Sequence, residues 1–557
     1  MATINFKGKE IVRNHHLTIP YHELVPDTKK GLSKKPSLND NLIIHGDNLL
    51  ALKALLPTYA GKVKCIYIDP PYNTGNEKWA YNDNVNSPMM KEWLGKVVDK
   101  DDLTRHDKWL CMMMPRLKLL RELLRDDGVI FVSIDEGNEN QRGNECHRLK
   151  MLMDEVFQGN FIGQFVWRKK EGGGQTDQYF VTEHEVVLVY AKSPEFKWID
   201  EQIPDSEASY NKHDENGKFN AVKLAKWGTG AHKEDRPGMC FPIKNLKGKN
   251  IYPVAPDGRD GRWRVGKERM QLLIDQNLIL WDKKNDKWVP FEKVYYEEGQ
   301  TKVIKERSII FDLTTTGDAS NELNDIFGRK DIFDNPKPHL LIQYLLTYAT
   351  NKDSIILDSF AGSGTTAHAT LALNKEDGGN RKFILVEMED YADKITAERV
   401  RRVIKGVKDA RDENLQKGLG GSFSYFELGK PIDTERILKG KDLPTFIAMA
   451  RYIFYTATGE EFNEKKVNEK SGFIGESKEY QVYLLYKPDM EYLKSTALTL
   501  ERAETLGKPA RRSLGAGGFT GKKRLVFAPA KYLDQEHLLR YHIDFAQLPF
   551  EIYSKAK

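Results

Sequence analysis

Two short segments of the sequence carry residue types from which an active site could be built. The first, named here the proline turn, is Asp69-Pro70-Pro71-Tyr72, and it directly follows an apolar run at 63–68. The Asp69 carboxylate and a backbone carbonyl of the turn could accept both hydrogens of an amino group conjugated to an aromatic ring. Rigid prolines would hold these acceptors in place, and Tyr72 offers a flat face for stacking that ring. The segment indicates activation of a ring-bound amino group, with an ordinary turn after a strand as the alternative.

The second segment, named here the glycine loop, is Asp358–Thr366, between a predicted strand and a predicted helix. Gly362 and Gly364 would let the backbone approach a ligand closely, and the start of the helix could bind a carboxylate. The lysine of a phosphate-binding loop is absent. Glu387 ends the next predicted strand, where an acid suits the hydroxyls of a ribose. Loop and acid together predict a nucleoside-type cofactor, the alternative being a tight turn with a surface acid.

Composition sets broad limits on the class of protein. The 557 residues are 40% hydrophobic and 30% charged, which is typical of a globular chain of two to four domains. A net charge of +5 permits a nucleic-acid partner without requiring one. The four cysteines lack metal-ligand spacing, so we expect reduced thiols and no metal. Neither a signal core at 1–7 nor a long apolar run is evident, so we expect a cytoplasmic protein without membrane contact.

Strands and helices alternate in two parts of the chain, which predicts an α/β fold with a mostly parallel sheet covered on both faces. The predicted strands lie at 41–45, 63–68, 128–134, 184–190, 353–357 and 383–387. The predicted helices lie at 47–55, 101–126, 139–156 and 338–348, with one more after each of the last two strands. Between the two parts the sequence is polar, turn-rich and dotted with tryptophans, which indicates an inserted module. The predicted domains are an N-terminal arm at 1–40, sheet halves at 41–194 and 326–410, the insert at 195–325, and a small C-terminal domain at 426–557.

The order of the two segments carries a family resemblance. A proline turn that precedes a glycine loop, with a large insertion between them, resembles the permuted, or beta, class of DNA amino-methyltransferases. More specifically, the chain is similar to the modification subunit of type III restriction-modification systems. The similarity is strong over 40–405 and loose over 426–557. The segments that support it are 42–52, 66–75, 128–136, 184–192 and 334–338.

The resemblance implies a fold, a reaction and a set of site residues. It implies a Rossmann-like, doubly wound methyltransferase sheet in permuted order, with the insert as target-recognition domain. The reaction would be methylation of adenine N6 in duplex DNA by S-adenosylmethionine, after the base has been flipped out of the helix. Catalysis would fall to Asp69, Pro70, Pro71 and Tyr72. Cofactor binding would fall to Asp47, Asp69, Lys337, Asp358, Phe360, Ala361, Gly362, Gly364, Thr365, Thr366 and Glu387.

Two of these assignments have more detail. Lys337 would lie near the carboxylate of the cofactor. Asp47 would lie near its adenine, although a helix N-cap is an equally good interpretation of this residue. Aromatic residues at 77–83 could line the pocket for the flipped base, or they could simply be packing.

Two basic stretches are candidates for contacts with DNA phosphates. The first lies beside Gly172 and the second flanks a glycine-rich loop, although charged runs are more often simply solvated. The predicted DNA-binding residues are Arg168, Lys169, Lys170, Arg511, Arg512, Lys522, Lys523 and Arg524.

The resemblance also implies partners and leaves alternatives open. Such subunits act on double-stranded DNA, form homodimers and associate with a restriction subunit that carries nuclease and helicase activity. The chain could instead be a solitary DNA methyltransferase, or it could methylate cytosine N4, for which the family more often has serine in place of Asp69. Methylation of RNA or of protein glutamine, and a non-enzymatic DNA-binding subunit, are further alternatives.

Overall fold

The computed structural model describes residues 3–73, 104–136, 145–172, 181–284, 287–432, 443–506 and 522–548. The chain divides into two compact units. The first comprises Met1–Ile199 and Arg307–Lys557, and the second comprises Asp200–Glu306. The aromatic segment at 77–83, Arg511 and Arg512 lie outside the described residues.

The strands and helices are numbered in chain order. The strands are β1 (Tyr21–Pro26), β2 (Leu42–His45), β3 (Val63–Ile68), β4 (Leu124–Ile134), β5 (Phe161–Arg168), β6 (His184–Ala191), β7 (Glu201–Pro204), β8 (Lys212–Asp214), β9 (Gly217–Lys223), β10 (Ile243–Lys244), β11 (Asn250–Ile251), β12 (Ile279–Lys284), β13 (Lys287–Tyr295), β14 (Thr301–Ile304), β15 (Ile309–Ile310), β16 (Ile355–Asp358), β17 (Lys382–Glu387), β18 (Ser424–Ile432), β19 (Phe473–Glu476), β20 (Tyr480–Leu484), β21 (Lys523–Ala528) and β22 (Ile543–Gln547). The α-helices are α1 (Lys9–Val12), α2 (His15–Thr18), α3 (Asn48–Tyr59), α4 (Arg105–Leu123), α5 (Cys146–Val156), α6 (Lys267–Asp275), α7 (Thr316–Phe327), α8 (His339–Ala349), α9 (Thr365–Asp377), α10 (Glu398–Lys405), α11 (Glu413–Lys417), α12 (Phe446–Thr458), α13 (Met490–Ser495), α14 (Leu500–Leu506) and α15 (Gln535–Arg540).

A ten-stranded sheet forms the centre of the first unit, in the order β1-β18-β2-β17-β16-β3-β4-β6-β5-β15. All its strands run in one direction except β1 and β6. Residues on β3 alternate between two cores, because Ile66 and Ile68 join one apolar cluster while Cys65 and Tyr67 join the other. The mostly parallel, doubly covered sheet predicted from the sequence is therefore confirmed.

The carboxyl edge of this sheet collects the polar residues singled out above. The neighbouring parallel strands β2, β17, β16 and β3 end at or just before Asp47, Glu387, Asp358 and Asp69. Open α/β sheets bind ligands at this edge. Asp47 also caps α3, since its carboxylate accepts hydrogen bonds from the two N–H groups of Leu49 and Leu50.

The N-terminal residues are more regular than the sequence suggests, and so is the segment 406–425, whose charged and glycine-rich sequence predicts a linker. The arm contains two short helices and β1, which pairs antiparallel with β18. Helix α11 and the beginning of β18 fall within the predicted linker. The pairing of β1 with β18 joins segments about 400 residues apart in sequence. Local sequence patterns do not predict it.

The inserted unit is narrower than predicted. The structure sets its limits at 200 and 306, whereas the sequence suggested 195 and 325. Residues 309–310 form β15, which pairs with β5 of the central sheet, and Ile326 of α7 packs into the core of the first unit. Within the second unit, β12-β13-β9-β8 form an antiparallel sheet. The second unit has its own apolar core, in which Trp263 is fully buried.

The last part of the first unit contains a four-stranded sheet, β19-β20-β21-β22. Leu525 and Phe527 point into one apolar cluster while Val526 points into another, so both faces of β21 are covered. In the described parts of the chain, we find no helix with the length and apolar character needed to cross a membrane.

Candidate active site

The proline turn presents three polar groups that bind one another. Asp69 Oδ1 accepts a hydrogen bond of 2.6 Å from the Tyr72 hydroxyl, and Oδ2 accepts one of 2.8 Å from Lys337 Nζ. Lys337 Nζ also donates to the Tyr72 hydroxyl at 2.7 Å. Lys337 precedes α8 and lies between two prolines. The structure therefore brings the ammonium of Lys337 onto Asp69, one of the acceptors that the sequence suggests for an amino substrate.

Two buried contacts hold the turn in place. The indole Nε1 of Trp109, on α4, donates to the Pro71 carbonyl at 2.6 Å. Asn73 follows the turn with a left-handed backbone, at a φ of 59°, and its amide donates to Glu145 Oε1 at 2.6 Å. The Pro71 carbonyl therefore already has one donor within the protein.

The charges around Asp69 form an alternating row. Lys337 Nζ also lies 3.4 Å from Glu185 Oε2, at the beginning of β6, and Glu185 Oε1 lies 3.5 Å from Lys169 Nζ. Burial opposes the charged form of Lys337, but the carboxylates of Asp69 and Glu185 outweigh it and raise the pKa of the lysine. Burial, together with the same carboxylates, also raises the pKa of Tyr72 well above its usual value. Lys337 is therefore cationic and Tyr72 protonated at neutral pH.

The glycine loop is shaped by its first residue. Asp358 Oδ1 accepts from the Phe360 N–H at 3.0 Å, and Oδ2 accepts from the Thr366 hydroxyl at 2.5 Å. These bonds close the loop against the start of α9. Burial raises the pKa of Asp358 to about 7, although the two hydrogen bonds act in the opposite direction.

Gly362 and Gly364 have left-handed backbones, with φ of 52° and 80°. A Cβ on Gly364 would lie 2.9 Å from the Thr396 carbonyl oxygen. No larger residue fits there without displacing the backbone, so the loop requires glycine at this position.

Glu387 fixes the loop from the neighbouring strand. Its Oε2 accepts from the Gly362 N–H at 2.7 Å, and its Oε1 accepts from the N–H groups of Met388 at 2.9 Å and Glu389 at 3.0 Å. Burial raises the pKa of Glu387, against the effect of these three donors. A carboxylate has about four acceptor positions, so roughly one remains for a ligand hydroxyl.

Both segments face one cavity of about 430 Å³, a size typical of small-molecule sites. Its wall includes the predicted residues Asp47, Asp69, Pro71, Lys337, Asp358, Phe360, Ala361, Gly362, Thr365, Thr366 and Glu387. Phe333 and Tyr391 add flat apolar surfaces, and the fully buried Ser359 hydroxyl has no hydrogen-bond partner among the described residues. A wall of acids, aromatic rings and a helix start fits a nucleoside that carries a charged amino-acid group.

A buried network supports the glycine loop from behind. Arg399 Nη1 donates to the hydroxyls of Thr365 at 2.7 Å and Ser363 at 3.0 Å, while Nη2 donates to Glu322 Oε2 at 2.9 Å. Glu322 also pairs with His339. Burial raises the pKa of Glu322, but the effects of His368, His339 and Arg399 outweigh it and lower that pKa to about 2.

Donor atoms of Glu322, His339 and His368 lie within 4.8 Å of one another, a spacing that could hold a metal ion. The guanidinium of Arg399 is bonded to Glu322 Oε2 and lies 3.2 Å from His368 Nδ1, so its positive charge opposes a cation at that point.

The predicted DNA contacts have protein partners in this structure. Lys169 Nζ bonds Asp135 at 2.5 Å, and Arg168 bonds Asp312 at 3.0 Å and lies over the Phe311 ring. The side chains of the C-terminal stretch pair as Lys522 with Glu476, Lys523 with Asp544, and Arg524 with the Tyr541 carbonyl. A role for any of these residues in binding phosphate, like that of Lys170, stays a prediction.

Trp109, Glu145 and Glu185 are parts of the site that are not predicted from the sequence. Trp109 belongs to an apolar helix and looks like core from its spacing. Glu185 begins a strand whose reversed direction places it at the carboxyl edge of its parallel neighbours. The sequence gives no sign of that reversal.

Both the proline turn and the glycine loop lie within a range that matches a known protein family. A family described as DNA methylase matches residues 63–398. The EcoPI Mod subunit, a type III restriction-modification enzyme of Escherichia phage P1, is 34% identical over 70% of this chain and 64% of its own length. The StyLTI Mod subunit of Salmonella typhimurium is 31% identical over 81% of this chain and 69% of its own length. The type II methyltransferase M.KpnI of Klebsiella pneumoniae is 35% identical over 66% of this chain and 84% of its own length. The chain thus spans 64% and 69% of the two Mod subunits it matches.

Proposed function

The chain belongs to the DNA methylase family, and we propose that it transfers a methyl group from S-adenosylmethionine to N6 of adenine in double-stranded DNA. The observation that carries the proposal is the cavity shared by the proline turn and the glycine loop. A carboxylate that can accept amino hydrogens there faces a wall suited to a nucleoside cofactor.

The proline turn acts on the amino group of the base. Asp69 and the Pro70 carbonyl accept its two hydrogens, since the Pro71 carbonyl is occupied by Trp109. The lone pair is thereby directed out of the ring and toward the methyl carbon, and the Tyr72 ring stacks on the base. Bound S-adenosylmethionine supplies a methyl group on a sulfonium sulfur, which leaves with the electron pair of the C–S bond. Asp69 accepts the proton that the alkylated nitrogen releases. The contribution of the protein is positioning and polar complementarity.

The glycine loop and its neighbours would hold the cofactor. Glu387 would accept a hydrogen bond from a ribose hydroxyl, and the N–H groups at the start of α9 would bind a carboxylate. Asp358, when ionised, would attract the cationic sulfonium and ammonium groups of the cofactor. Asp47 lines the cavity and would face the adenine of the cofactor, in addition to its role as N-cap.

Adenine inside a duplex cannot reach this cavity, so the base must leave the helix. The second unit, 200–306, would read the target sequence, and the basic residues described above would contact phosphates. The names of the Mod relatives support a modification subunit of a type III system. Its partners would be a restriction subunit and, as the resemblance of the sequence implies, a second copy of the chain.

Single-molecule sequencing of DNA from cells that express the chain tests this proposal. Cells with the empty vector are the control. We expect N6-methyladenine at one recurring sequence motif. Methylation of cytosine N4 at that motif would refute the adenine assignment, and unmodified DNA would refute the proposed function.

A further inference from the structure

One of the two acceptors needed by the target base, the Asp69 carboxylate, is occupied in this structure. Lys337 Nζ donates to Asp69 Oδ2 and to the Tyr72 hydroxyl, and the side chain of Lys337 is only 8% exposed. An ammonium in this position takes the place of an amino group. For the base to bind Asp69, the ammonium must leave, and a buried cation without a counter-ion is strongly unfavourable.

Glu185 is placed to receive it. Its side chain is 5% exposed, and Oε2 lies 3.4 Å from Lys337 Nζ. Within the described ranges this oxygen accepts no hydrogen bond, so it is a buried acceptor with unused capacity. Lys169 approaches the other oxygen of Glu185 at 3.5 Å, but it is bonded more closely to Asp135, at 2.5 Å.

We propose that Glu185 receives the ammonium of Lys337 when the target base enters, so that Lys337 switches from Asp69 to Glu185. This inference rests on the proposed function. The backbone on both sides of Lys337 is proline, so the switch is a rotation of the side chain alone. Lys337 stays paired with a carboxylate at every stage. Glu185 is therefore a positioning residue that controls whether Asp69 is available.

The first test is Glu185→Gln, which keeps the size of the side chain and removes its charge. The ammonium then has no anionic site to move to and stays on Asp69. We expect single-turnover methyl transfer to slow roughly tenfold or more, the effect of one lost charge-assisted hydrogen bond. The affinity for S-adenosylmethionine should stay within about twofold, since Glu185 does not line the cavity.

The second test repeats this substitution in a Lys337→Met background. If Glu185 acts through Lys337, the added Glu185→Gln change causes no further loss of rate once the ammonium is absent. A purely structural role would slow both backgrounds by the same factor, and that result would overturn the inference. Equal rates for wild type and Glu185→Gln would also overturn it.

Asp127→Asn is the matched control, because Asp127 pairs with another buried lysine, Lys64, at 3.0 Å and does not line the cavity. We expect it to transfer methyl groups at the wild-type rate. A wild-type protein that methylates no DNA base refutes the proposed function and this inference together. If Glu185→Gln methylates adenine at the wild-type rate, the inference alone is refuted.

Discussion

Replacing Trp109 by phenylalanine tests how the proline turn is held. Trp109 is fully buried, and its indole N–H is the donor to the Pro71 carbonyl, at 2.6 Å. Phenylalanine keeps most of the apolar surface but removes that donor. The Pro71 carbonyl then loses its donor and, like the Pro70 carbonyl, could accept a hydrogen of the base. The turn therefore loses the contact that fixes it.

Two effects set the magnitude. Loss of the bond and of the buried partner costs about 1–3 kcal/mol, and the smaller ring leaves a cavity that adds about 1 kcal/mol. We expect the free energy of unfolding to fall by about 2–4 kcal/mol. Because a shift of the turn near 1 Å misaligns the amino group, we also expect kcat to fall by roughly 10- to 100-fold.

The assay compares kcat, the KM for S-adenosylmethionine and urea unfolding in Trp109→Phe and Trp167→Phe. Trp167 is equally buried, and its indole also donates to a backbone carbonyl, that of Thr314, at 2.8 Å. Both variants should lose similar stability, but only Trp109→Phe should lose kcat, with the cofactor KM unchanged. Equal kcat in the two variants would refute the claim that Trp109 positions the turn.

Two further predictions concern the cofactor side of the cavity. Gly364→Ala should weaken binding of S-adenosylmethionine at least tenfold, as measured by calorimetry. Gly378→Ala is the control, because Gly378 has a similar φ of 69° but open space around it, and this variant should bind the cofactor normally. Equal losses of affinity in both variants would show that backbone strain alone is responsible. Because burial raises the pKa of Asp358 to about 7 and a cationic ligand favours the ionised carboxylate, affinity should fall roughly fivefold from pH 7 to pH 6. Asp358→Asn should abolish this dependence, and a wild-type affinity that is constant over that interval would contradict the electrostatic role.

Local sequence was sufficient for the parts of the site that lie within one segment. The apolar run before Asp69 and the glycines before α9 predict strand ends and turns, because these signals come from the neighbouring residues themselves. Parallel strands then bring the two segments to one edge, as expected for an open α/β sheet. The DNA methylase match over 63–398 agrees with the family inferred from these segments.

Contacts between distant segments could not be predicted in this way. Lys337 was expected beside the carboxylate of the cofactor, but its ammonium is bonded to Asp69 and Tyr72. Glu185 reaches it because β6 runs against its neighbours. The C-terminal limit of the inserted unit depends on a similar contact. Strand β15 has only two residues, and it belongs to the central sheet because it pairs with β5.

The central claim is that the Asp69 carboxylate activates the amino group, and Asp69→Ala tests it most directly. Methyl transfer to duplex DNA and equilibrium binding of S-adenosylmethionine would be measured on the same preparation, with a folding check by circular dichroism. The account predicts that transfer falls by at least about 1,000-fold, as for a lost catalytic acceptor, while cofactor affinity stays within about threefold. Transfer at the wild-type rate by Asp69→Ala would contradict it.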